Sequence, residues 1–294
     1  MGSKRQVNFR GGNKMSISIA SSAVLIDLNI SVWTARKLDR NVSKEIDINK
    51  NTTIKAGNYN KHILAGSDQL EKITKLAGEI REWHGRQTLP WSDTGTRLLP
   101  MTNFFDYKHQ LGVYEAEFKS RVNTFIQEYP NIIQGMAFKL GKLFDRGEYP
   151  ESDKIANKFD LRYTIMPVPE TNDFRVNIAD DIRNEMQQEY QKAYEGRVEA
   201  AMSDAWSRLH NTLEHMIDRL SGEDKKIFRD SLVDNALELT NLLTKLNVTN
   251  DPKLENARRE LERLLVGVTA DDLRESQGAR AAVVNKVNEI MENI

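Results

Sequence analysis

The first regular pattern along the chain has a period of two. Between Ser22 and Trp33, Val24, Ile26, Leu28, Ile30 and Val32 alternate with Leu25, Asp27, Asn29, Ser31 and Trp33. β-Branched residues at that spacing predict a half-buried strand, because successive strand side chains point to opposite faces. Residues 36–62 are polar and turn-rich, with at most one short helix near residues 43–48. At Ser67 the period changes. Leu70, Ile73, Leu76, Ile80 and Trp83 fall three and four apart behind a Ser-Asp start, which predicts a capped amphipathic helix. Residues 85–103, with Pro90, Gly95 and Pro100, read as a loop. Leu111, Tyr114, Phe118, Val122 and Phe125 mark a second helix, which Pro130 is expected to interrupt. Leu161–Val168 and Phe174–Val176 read as short strands around a PETND turn. With residues 22–33 at its centre, they make one small sheet.

After Asn177 the pattern is almost wholly helical. Ala179–Leu220 contains no proline and a single glycine. From Met202, the residues Trp206, Leu209, Leu213, Met216 and Leu220 continue at alternating spacings of four and three, a heptad seam. Phe228, Leu232, Asn235, Leu239, Leu242 and Leu246 repeat the spacing beyond a Ser221-Gly222-Glu223-Asp224 connection. Two such helices joined by a short link predict a long antiparallel hairpin, a coiled-coil arm. Asn250-Asp251-Pro252 opens a further helix, Thr269–Asp272 carries a capping signal, and a last helix runs from about Gln277 to Met291. The fold class expected is mainly α with a small β-sheet. The domain reading is a flexible basic tail over 1–15, an α+β body over 16–177, and a helical hairpin with C-terminal helices over 178–294. Met15 is a second candidate for the natural start.

The 294 residues include no cysteine, which removes disulfides, thiol catalysis and cysteine-ligated metals. The mean hydropathy is −0.59. The longest apolar run, Ala23–Ile26, is far short of the roughly 20 residues of a membrane span. The polar start lacks the apolar centre of a secretory signal, so a cytoplasmic protein that does not enter a membrane is expected. The formal net charge of −1 conceals an asymmetry. Residues 1–66 hold eleven Lys/Arg against four acids, whereas the remainder carries 31 bases and 39 acids. A basic end can mark nucleic-acid contact, with Arg36, Lys37, Arg40 and the stacking candidate Tyr59 as its residues.

Few positions carry a chemical motif. Gly135–Lys142 has five residues between its glycines and Leu143 where a phosphate loop needs Ser or Thr. His210 and His215 are five apart, off a common helix face, and no zinc signature occurs. His62, His84 and His109 read as ordinary surface or boundary histidines. Asp145, Glu148, Glu151, Asp153 and Asp160 cluster in a loop, as chance allows in a chain with 43 acids. No catalytic, cofactor or metal site is expected, and the chain is read as a non-enzyme.

Two segments carry a resemblance. Val24–Leu38, a strand leading into Trp33-Thr34-Ala35-Arg36-Lys37, is similar to the opening of a family of uncharacterised bacterial and bacteriophage proteins, a domain of unknown function. Tyr149-Pro150, Phe159, Met166–Pro169 and Asp173–Val176 resemble its second hallmark. Members are often encoded near a MoxR-type AAA+ ATPase and a von Willebrand-type metal-site protein. The resemblance therefore implies an adaptor beside an ATPase in a bacterial cytoplasm, that of the host for a phage protein, and implies no catalytic residues. The contact residues expected are Trp33, Arg36 and Lys37 beside Arg175, and the hairpin tip at Leu220 and Glu223. Self-association through the Met202–Leu220 seam is a further expectation, and nucleic-acid binding is the alternative.

Overall fold

The computed structural model describes residues 19–169, 180–221 and 231–294; the side chains of Asp180, Asp181 and Arg183 are not among them. The chain is mainly α with a small antiparallel sheet. Contacts divide it into two compact units. Leu25–Leu89 and Asp93–Met166 form the first; Pro90–Ser92, residues 19–24 and the described residues from Pro167 onward form the second.

The first unit begins within β1 (Ala23–Ser31), at Leu25, which is buried together with Ile26. It continues through β2 (Arg36–Asp39), α1 (Arg40–Asn49) and β3 (Tyr59–His62) to the long helices α2 (Asp68–Gln87) and α3 (Phe104–Leu140). Two short strands, β4 (Leu89–Pro90) and β5 (Arg97–Pro100), lie between those helices, and α4 (Ser152–Ala156) and β6 (Asp160–Pro167) follow. The main sheet has the order β4-β5-β1-β6, so β1 is internal, as its pattern predicts. β4 and β5 fall where the sequence reads as a loop, because strands of two and four residues are too short to show a period. The expected strand at Phe174–Val176 lies outside the described residues.

Pro130 does not interrupt the second helix: α3 runs unbroken through it for 37 residues. The lost N–H bond is outweighed by a continuous buried face of Phe118, Val122, Phe125, Tyr129, Ile133 and Met136. That face packs on the Leu70, Ile73, Leu76, Ala77 and Ile80 face of α2, and the two supply most of this unit's core. Residues 36–62, expected to be turn-rich with at most one short helix near residues 43–48, hold a helix there, α1, and also a two-stranded sheet that the sequence does not announce. The Asp39 carboxylate caps α1 by accepting from the N–H groups of Asn41 and Val42, both at 3.1 Å.

The second unit is a helical bundle of α5 (Asp180–Leu220), α6 (Ser231–Leu246), α7 (Pro252–Leu265), α8 (Ala270–Glu275) and α9 (Gln277–Glu292). The Trp206 indole donates to Asp251 Oδ2 at 3.1 Å. Trp206 lies about 21 Å from the end of α5, and Asp251 just past the end of α6, itself about 24 Å long. Hence α6 runs back along α5, antiparallel as the heptads predict. The seam is nonetheless not that of a free-standing arm. α5 packs on α9 as well as α6, and α7 packs on both α6 and α9. Met202, Leu209, Leu213, Met216 and Leu220 are all at most 8% exposed within this one chain. Among the described residues, no helix is long and apolar enough to cross a membrane.

Candidate functional site

The turn from β1 into β2 borders a recess in the first unit, a cleft of about 820 Å³. One wall is the end of β1 and the turn itself, residues 30–36; the other is one face of α2. Ser67, Glu71, Thr74 and Arg81 stand on that face at spacings of four, three and seven, the repeat of a helix stripe. Gly78 falls on the same stripe, where a Cβ would meet nothing within 4 Å. From Ser67 to Arg81 the stripe is about 21 Å long, so the recess is a groove. Its apolar lining includes the buried Ile30, Ala35, Leu64 and Leu70.

Backbone geometry sets the turn. Ala35 has φ 49°, a left-handed conformation uncommon for a residue with a Cβ, and its carbonyl accepts from Ile63 N–H at 2.9 Å. Trp33 stands edge-on to Tyr129, with ring centroids 6.1 Å apart. β2 then pairs antiparallel with β3: Arg36 opposite His62, Lys37 opposite Lys61, Leu38 opposite Asn60, Asp39 opposite Tyr59. Directly opposed residues project to one face and the next pair to the other. Arg36 and His62 therefore share a face, and both line the groove. Lys37 shares the opposite face with Lys61, which is 6% exposed and bridges Asp39 (3.1 Å) and Glu148 (2.9 Å) while donating to Leu143 O at 2.9 Å. Burial disfavours the Lys61 charge, but Glu148 and Asp39 outweigh it and raise the pKa above its usual value.

Of the contact residues expected from the sequence, the fold thus brings Trp33 and Arg36 together and turns Lys37 away from them. Leu220 is buried at the end of α5 in the second unit, and Arg175 and Glu223 lie outside the described residues. Arg40, the first residue of α1, is exposed, while Tyr59 is half-buried at the end of the β2–β3 ladder. Arg81, Lys75, His62 and Ser67 join the groove without any sequence signal beyond their place on polar faces.

The groove's rim is cationic. Arg36 and Arg81 have no carboxylate at ion-pair distance among the described residues, and Arg81 Nη2 donates to Ile30 O at 2.6 Å. Lys75 is 80% exposed with Glu79 only at 4.0 Å. Glu71 is the one acid on the lining. The Ser67 hydroxyl is buried without a hydrogen-bond partner, although Ser67 is the N-cap of α2.

Two of the clustered loop acids have structural partners. Asp145 accepts from Gly147 N–H, and Glu148 holds Lys61. No group of metal ligands occurs among the described residues. His84, expected at a surface or boundary, is 7% exposed and 2.7 Å from the Tyr107 hydroxyl, with Tyr107 stacked on Trp83. Burial first, and then Arg97, lower the His84 pKa to about 4, against a smaller opposing pull from Asp27. No protein-family model matches this chain, and neither a curated protein nor a solved structure is similar to it.

Proposed function

We propose that the chain is a non-enzymatic interaction protein, an adaptor, whose partner docks on the first unit at the turn between β1 and β2. One observation carries this reading. Arg36 and Arg81, uncompensated by any carboxylate among the described residues, border a recess with a buried apolar floor. An apolar floor supplies burial energy and the cations select the sign of the partner. The resemblance of Val24–Leu38 points to a MoxR-type AAA+ ATPase as the client, in a bacterial cytoplasm and in a phage setting among others. Size-exclusion chromatography of the full chain mixed with such an ATPase at about 10 μM should give one co-eluting species. Independent elution of the two refutes the client.

A second reading has its own support. Arg36, Lys37, Arg40, Lys44, Lys50 and Lys55 have no ion partner among the described residues, whereas most arginines of the helical unit are paired. Cations left free in this way suit a phosphate backbone. Nucleic-acid binding predicts a steep loss of affinity with salt; a shallow slope, or no binding at about 50 mM salt, removes this reading.

A further inference from the structure

Resting on the interaction-protein reading, we infer that the α2 groove binds an extended, acidic segment of about six residues from the partner protein. The length follows from the stripe: 14 residues of helix span about 21 Å, and an extended chain advances roughly 3.4 Å per residue. The conformation follows from the opposite wall. Every residue from Ile30 to Arg36 lines the groove, so this wall is itself extended chain, and its apolar members Ile30 and Val32 repeat at about 7 Å. A ligand in extended conformation presents alternate side chains at the same interval, which lets one set meet the apolar floor while the other faces the rim. The charge follows from the rim itself, where Arg36, Arg81 and Lys75 outnumber Glu71, the one acid of the lining, and Lys75 has a second acid, Glu79, only at 4.0 Å. Carboxylates on the ligand's second set compensate those cations. The unpartnered Ser67 hydroxyl at the start of α2 gives one of them a donor.

The register of β2 provides a sharp control. Arg36 and Lys37 are adjacent, exposed and alike in charge, yet they project to opposite faces of the two-stranded sheet. A nonspecific electrostatic attraction treats them alike; a groove does not.

The experiment is fluorescence anisotropy on the full chain at about 100 mM NaCl. The probes are a fluorescein-labelled octapeptide alternating Leu and Asp, its Leu/Lys counterpart, and a labelled 12-nucleotide oligothymidylate. The Leu/Asp peptide should bind, the Leu/Lys peptide should not, and Arg36→Glu should weaken binding at least tenfold while Lys37→Glu changes it less than twofold. Gly78→Leu, which adds a side chain to the open stripe on α2, should also weaken binding at least tenfold with the circular dichroism spectrum retained. Failure of the Leu/Asp peptide to bind overturns the inference. So do equal effects of Arg36→Glu and Lys37→Glu, or tighter binding of the oligothymidylate than of the peptide. An ATPase complex that forms equally well with Arg36→Glu sinks the groove as the docking place and leaves only the association with the ATPase standing, so the two failures are distinguishable.

Discussion

His84 makes the first unit acid-sensitive, and the size of the effect follows from its surroundings. The ring is 7% exposed, lies against the Tyr107 hydroxyl, and has its pKa lowered from 6.5 to about 4. Burial is the larger cause and Arg97 adds to it, while Asp27 opposes both. A histidine whose folded pKa is depressed binds fewer protons folded than unfolded between those two values. Its contribution is therefore fully present above pH 6.5 and is lost as the pH falls toward 4. With those pKa values, the loss between pH 7.5 and pH 5.0 comes to about 2 kcal/mol. Urea denaturation followed by circular dichroism at the two pH values measures the total change, to which carboxylates also contribute. His84→Asn isolates the histidine, since an amide can donate to or accept from Tyr107 but does not titrate. The variant should show a pH dependence smaller than that of the natural chain by about 2 kcal/mol. An unchanged pH dependence, within about 0.5 kcal/mol, would mean that the imidazole titrates normally and is not enclosed as described.

Other positions give equally definite outcomes. Lys61→Met should cost about 2 kcal/mol by calorimetry, because it strands Asp39 and Glu148 around a buried site; the lysine's raised pKa means that its contribution persists at neutral pH and fades only above about 10.5. Asp251→Ala should cost about 2 kcal/mol, half from the α7 cap to Lys253 and Leu254 N–H and half from the Trp206 bond, whereas Asp251→Ser should recover much of the cap in urea titration. Leu213→Ala, at a fully buried seam position, should cost about 3 kcal/mol, and the melting temperature of both forms should be independent of protein concentration, as befits a seam closed within one chain. Gly78→Ala should stabilise α2 by up to about 1 kcal/mol, since the added methyl meets open space and the helix gains propensity; a thermal melt showing destabilisation would contradict the open stripe.

What the sequence conveys well is periodicity. β1, α2, α5 and α9 can all be placed from the spacing of Val, Ile, Leu and Met, because each buries one face against a large core. What it conveys poorly is anything decided by partners far along the chain. Pro130 reads as a break, yet the α3 face packed on α2 carries the helix through it. The Met202–Leu220 heptad reads as an arm because spacing cannot count how many helices cover a seam; here α9 packs on α5 along with α6. β2 and β3 carry no apolar alternation at all, and their pairing depends on Lys61 finding Glu148, 87 positions away. His84 sits in a polar stretch of α2, and its burial beside Tyr107, 23 positions away, leaves no local trace. The groove was half legible: Trp33 and Arg36 stood out in the turn, while Lys75 and Arg81 looked like ordinary solvent-facing residues of a helix.

The two cations of the turn show why register matters more here than composition. A slip of one residue in the β2–β3 pairing would send Lys37 into the groove and Arg36 to the far side, since strand side chains alternate strictly. A four-residue ladder with exposed edges has little of its own to resist such a slip. Three contacts fix it instead. Ile63 N–H bonds to Ala35 O at one end, Tyr59 N–H to Ser43 Oγ at the other, and between them Lys61 is held by Asp39 and Glu148. A buried ion pair is weak evidence for stability, but its demand for one geometry makes it a strong determinant of register. On that argument, Lys61 specifies which basic residue faces the groove, and the left-handed Ala35 is the local strain through which the chain reaches that pairing.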